Sequence, residues 1–101
     1  MVKVTTWPGT TPPTRADLER ALASEGLSPY SWSNDPGDVY AVHSHTYNKV
    51  IYVVSGSITF TLPDSGEDVL LERGDRLDLP AAVRHGARVG PQGVLCLEAH
   101  C

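Results

Sequence analysis

The chain has 101 residues, of which 41% are hydrophobic and 20% charged, and a formal net charge of −4. This length supports one domain, residues 1–101, around one core, with a globular rather than disordered composition. The negative charge, with lysines and arginines scattered along the chain, argues against nucleic acid or a membrane surface as a partner.

At the start, MVKVTTWPG lacks a signal-peptide core, and no later apolar run reaches the length of a membrane span, so a cytoplasmic location is the default. Residues 2–6 read as a short strand closed by Trp7-Pro8-Gly9. Thr14 is a good N-cap, with Asp17 as a short capping-box partner and Gly26 suited to the C-cap. Leu18, Ala21 and Leu22 form a narrow apolar stripe between these signals. The predicted helix of about eleven residues is too short to stand alone and must pack on something larger.

From Leu27 the pattern is strand and turn. Residues 30–33 form a strand stopped by Asn34-Asp35-Pro36-Gly37. Residues 39–54 alternate and then become an apolar β-branched run, which Ser55-Gly56 is predicted to turn into a further strand, 57–62. Short strands follow at 69–71 and around Leu77 and Leu79. In the next, Val83, His85, Ala87 and Val89 share one face and Arg84, Gly86 and Arg88 the other, which directs His85 inward. Gly90-Pro91-Gln92-Gly93 is read as the turn into a last strand, 94–99. Short strands at regular intervals indicate an antiparallel all-β sandwich or barrel.

His43 and His45 are the chemical landmark. In a strand, residues i and i+2 point to the same side, so the pair aims two imidazoles at one patch of space, as two ligands of one metal would require, and a third histidine, His85, lies in a second strand-like stretch. Tyr47 lies between His45 and Lys49 with the same parity and is a pocket candidate, as are Cys96 and Glu98. Tyr40 and Tyr52 have the opposite parity and are assigned to packing or an interface; His100 is expected in solvent, and Arg76, Arg84 and Arg88 on a solvated face. Cys96 and Cys101 would fall on opposite faces of one strand, which disfavours a mutual disulfide. Val50, Tyr52 and Val54 form an apolar surface away from the histidines, to be covered by the helix or by a second subunit.

Gly37, His43, His45 and Gly56, then Gly74, Pro80 and His85, fall at the spacings of the two motifs of the cupin superfamily, which the sequence resembles. Three positions depart from that pattern: Lys49 stands where the first motif has Glu, and Ala82 and Val89 stand where the second has Gly and Asn. The resemblance implies an antiparallel jelly-roll barrel with one short N-terminal helix, and a homodimer. It also implies His43, His45 and His85 as ligands of one divalent transition metal (Fe, Mn, Ni, Zn or Cu). An ammonium about 5 Å from a dication is repelled by roughly 6 to 7 kcal/mol at an effective dielectric of 20. Lys49 must therefore turn away, pair with a carboxylate such as Glu98, or lose its proton and become a catalytic amine. Two functions are expected from the resemblance. One is a mononuclear metal-dependent, dioxygenase-like oxidoreductase acting on a small oxygen-chelating substrate; the other is a non-catalytic binding or sensing module for a small molecule or metal.

Overall fold

Among residues 2–101, which the computed structural model describes, seven strands and one helix follow one another. They are β1 (Lys3–Thr5), α1 (Arg15–Ser24), β2 (Tyr30–Asn34), β3 (Val39–His43), β4 (Lys49–Leu62), β5 (Glu67–Glu72), β6 (Arg76–Leu79) and β7 (His85–His100). Every pairing is antiparallel, and the two long strands β4 and β7 form the spine of a jelly roll. Their outer halves pair in the order β1-β6-β4-β7-β2, while β5 adds to the far half of β4 and β3 to the near half of β7.

The Ser55-Gly56 and Gly90–Gly93 segments, expected as turns between separate strands, are instead bends within β4 and β7. The register between the two strands shifts at Val53/Ser55 and again at Gly56/Ile58, so both bend at the same level. Gly56 has φ +76, and a Cβ there would lie 2.0 Å from the Gly93 carbonyl oxygen. Only glycine permits that approach, which carries each strand from one layer of the jelly roll into the other.

Inside lies a core of Ile51, Val53, Ile58, Leu71, Leu77, Val89 and Cys96 with their neighbours. The opposite face of the outer layer, Val50, Tyr52, Leu97 and Ala99, is covered by Leu18 and Leu22 of α1. The helix thus supplies one of the two covers the sequence allowed. Burying each leucine contributes on the order of 1.5–3 kcal/mol.

Thr14 caps α1 with a complete capping box, the Thr14 amide donating to Asp17 and the Asp17 amide to Thr14. At the other end, the Gly26 amide donates to Ala23 and the Leu27 amide to Leu22, a Schellman motif with Gly26 at φ +76. Arg76 then fastens the helix to β6, binding Glu25 and Asp78 while lying over the Tyr52 ring. Its side chain is only 15% exposed, so Arg76 belongs to a clamp rather than to the solvated face assigned from sequence.

Candidate metal centre

His43 ends β3 and pairs directly with His85, the first residue of β7. His45 has already left the strand, because the run expected over 39–54 breaks at residues 44–48. Its ring is brought back by hydrogen bonds from the loop before β7. The Ala82 amide donates to the His45 carbonyl at 2.8 Å, and the Ala81 amide to Asn48 Oδ1 at 2.8 Å. Ala82 takes φ +67 to do so, at the position where the motif has glycine.

The ring centroids of His43 and His85 lie 4.5 Å apart, those of His43 and His45 4.8 Å, and those of His45 and His85 5.3 Å. Their ligand nitrogens all fall within 4.8 Å of one another, and burial increases from His43, exposed, through His45 to His85, buried. His85 Nδ1 faces the Val83 carbonyl at 2.9 Å, and His43 Nδ1 the Ala41 carbonyl at 2.8 Å. A carbonyl can only accept, so both Nδ1 atoms carry a proton, and Nε2 is the atom through which each neutral ring would offer its lone pair. Among the described residues, His85 Nε2 is buried without a hydrogen-bond partner, an arrangement that costs free energy unless something else occupies the lone pair. Burial, then the positive charges of Lys49 and His43, hold the His45 imidazole below the ordinary range. His85 is lowered too, with burial outweighing its bond to Val83. Neutral imidazoles with backbone-fixed tautomers fit a transition-metal ion.

Lys49, 8% exposed, takes up one lone pair of this cluster, its Nζ standing 3.2 Å from His45 Nε2. On its other side lies Glu98 Oε1, at 3.6 Å. Lys49 thus stands beside Glu98, the carboxylate that the sequence offered it as a partner. Glu98 is 5% exposed and accepts from Tyr30 Oη, Trp32 Nε1 and His100 Nε2 as well. Burial alone would raise its carboxyl, but Tyr30, the charge of Lys49, and His100 and Trp32 together hold it below the usual range.

His43, Lys49 and Glu98 line one cavity of about 120 Å³, whose remaining walls include Trp32, Tyr40 and Phe60. Trp32, Tyr40 and Phe60 were not anticipated there. Tyr40 was assigned to packing because it has the opposite parity to His43, but β3 bulges between the two residues and puts them on the same side. Tyr47 is outside the strand and stacks between His45 and His100, with centroids 5.0 and 4.0 Å away. His100, expected in solvent, is partly exposed but tied to Glu98 and Tyr30. Cys96 is fully buried in the inner core, and burial, with Glu98 nearby, pushes its thiol up to about 12. Neither it nor the exposed Cys101 forms a disulfide.

A family profile described as a cupin domain matches residues 31–95, which include all three histidines, Lys49 and the bends in β4 and β7. The chain belongs to the cupin family. Among solved structures it is similar to an RmlC-like cupin from Shewanella frigidimarina, at 30% identity and a TM-score of 0.63, over 73% of this chain and 64% of that one. It is similar to the polyketide cyclase RemF of Streptomyces resistomycificus, at 27% identity and a TM-score of 0.64, over 74% of this chain and 54% of that one. A DUF861-family protein of Thermotoga maritima shares the fold over the full length of both chains, at 19% identity and a TM-score of 0.68. This cupin thus spans about half of the cyclase and just under two thirds of the RmlC-like protein. No curated protein sequence gave a significant match. Among the described residues, no helix of this cupin is long and apolar enough to cross a membrane.

Proposed function

We propose that this cupin holds one divalent transition metal on His43, His45 and His85 and acts on a small, oxygen-chelating organic substrate bound beside it. The observation that carries the reading is the buried Nε2 of His85, without a partner among the described residues, in a cluster of three histidines whose ligand atoms lie within 4.8 Å of one another. When bound, such an ion supplies Lewis acidity toward an enolate or related oxygen ligand and, for a redox-active metal, dioxygenase-like chemistry. The chain itself fixes the tautomers of His43 and His85 through Ala41 and Val83 and surrounds the substrate space with Trp32, Tyr40 and Phe60. The similarity to a polyketide cyclase supports an enzyme rather than a storage site.

A second reading, a non-catalytic binding module, is favoured by one feature. Glu98 already accepts three hydrogen bonds and is paired with Lys49, so neither stands free as a general base. Elemental analysis of untagged protein should find close to one transition metal per chain, and His43→Ala should abolish it. Retention of metal by that variant would refute the three-histidine site. Oxygen uptake with β-diketones and catechol-like compounds, after loading with iron, manganese, nickel or copper, would establish turnover. Its absence with all four metals would leave the binding module.

A further inference from the structure

We propose that Lys49 is the anion receptor of the site, so that the substrate is a short organic carboxylate that meets the ammonium with its head and the aromatic wall with its body. The proposal rests on the metal-site reading above and adds the chemical class of the substrate. An ammonium has three N–H donors. Lys49 directs one toward Glu98 Oε1, and the one it gives to His45 Nε2 without a metal is released once that ring becomes a ligand; among the described residues Nζ has no further partner, although the residue lines the cavity. One donor of a nearly buried cation therefore remains for whatever enters.

The charge count points the same way. Lys49 and Glu98 cancel, and a histidine that ligates a metal does so through the lone pair of a neutral ring, bringing no charge. A dication on the histidines would thus meet no compensating anion among the residues that touch the cavity. An incoming carboxylate supplies one, and its two oxygens suit two adjacent cationic partners. Size sets the rest of the molecule. A cavity of about 120 Å³ is slightly smaller than the roughly 150 Å³ void that holds benzene, so about six heavy atoms or fewer are accommodated. Trp32 and Phe60 offer the body an apolar surface.

The test is calorimetric titration of the Zn-loaded and the metal-free protein with butyrate, acetoacetate and octanoate, and with butanamide as the neutral match to butyrate. Butyrate and acetoacetate should bind the wild type at least tenfold more tightly than butanamide does, and octanoate should bind more weakly than butyrate. Lys49→Met should lose tenfold or more toward the short carboxylates at unchanged zinc content, with butanamide unaffected, and Lys49→Arg should retain the preference. If Lys49→Met binds butyrate as the wild type does, the proposal is overturned. It is overturned equally if the wild type does not distinguish butyrate from butanamide, a comparison that stands even if Lys49→Met does not fold. Failure of the metal reading looks different: zinc is not taken up, while a Lys49-dependent preference for carboxylates persists in the metal-free protein.

Discussion

Glu98→Gln isolates the interaction on which the cavity depends. The substitution preserves size and removes one charge from a group that is 5% exposed, leaving Lys49 as an unpaired ammonium that is 8% exposed. At 3.6 Å and an effective dielectric of 20, the lost attraction is about 4 to 5 kcal/mol. Breaking a buried pair by removing one partner costs about 3 to 5 kcal/mol, in agreement. The amide also turns an NH2 group toward donors that Glu98 had accepted from, namely Tyr30 and His100 or Trp32 and Lys49. With each kcal/mol worth roughly 4–8 °C in a domain of this size, the metal-free variant should melt roughly 15 °C or more below wild type. Lys49→Met should cost less, because Glu98 keeps Tyr30, Trp32 and His100 as donors. The double variant should recover at least about 2 kcal/mol relative to the sum of the singles. The sign with pH follows from the direction of the Glu98 shift. Its folded-state pKa lies below the ordinary value of 4.5, so its contribution is present above that value and is lost as pH falls through the folded-state pKa. The gap between wild type and Glu98→Gln should therefore close in acid. Urea melts of the four proteins at neutral and acid pH measure all of this. A cost under about 1 kcal/mol for Glu98→Gln, or additivity within about 0.5 kcal/mol in the cycle, would show that solvent screens the pair and that the reasoning is wrong.

Two further outcomes are expected. Ala82→Gly should stabilise the metal-free protein by about 1 kcal/mol in chemical denaturation, because φ +67 costs an alanine about 1–2 kcal/mol and the glycine gives back part of that as chain entropy. Zinc affinity, measured by chelator competition, should fall by well under about a hundredfold between pH 7.5 and 5.5, whereas three unperturbed histidines would lose about a thousandfold. The reason is that burial already keeps His45 and His85 below the ordinary value of 6.5; the same depression means that the metal-free fold loses stability as pH drops below that value.

Much of this was readable in the chain. Thr14, Asp17 and Gly26 mark the helix because capping and left-handed termination are local chemistry, and the structure places each in that role. The motif spacings led to the jelly roll and to three histidines that the fold brings together. The errors share one cause, which is strand regularity that tertiary pairing overrides. Ser55-Gly56 has the composition of a turn, yet pairing between β4 and β7 continues across it, so the glycine bends a strand instead of ending one. Period-2 parity excluded Tyr40 from the cavity, and only a bulge visible in the register restores it. His45 and Tyr47 lie in an irregular loop that the Ala81 and Ala82 amides hold, a long-range constraint that leaves no periodic trace in sequence. Trp32 enters through β2, whose register against β7 sets it opposite Cys96 and within reach of Glu98.

Lys49 gains its meaning from the same register. Ile51 is opposite Glu98 and Lys49 opposite His100, so Lys49 and Glu98 are diagonal neighbours across two strands. The chain therefore has a lysine at the position where the motif places a glutamate, while a buried carboxylate sits one strand over with its oxygens already satisfied. A glutamate ligand would lower the charge of a bound dication by one. Here that reduction is absent, because Glu98 is spent on the ammonium and on three neutral donors. The positive charge left over must be answered by something from outside the chain. On the reading proposed above, that something is the substrate's carboxylate, and its charge is needed because position 49 holds a lysine.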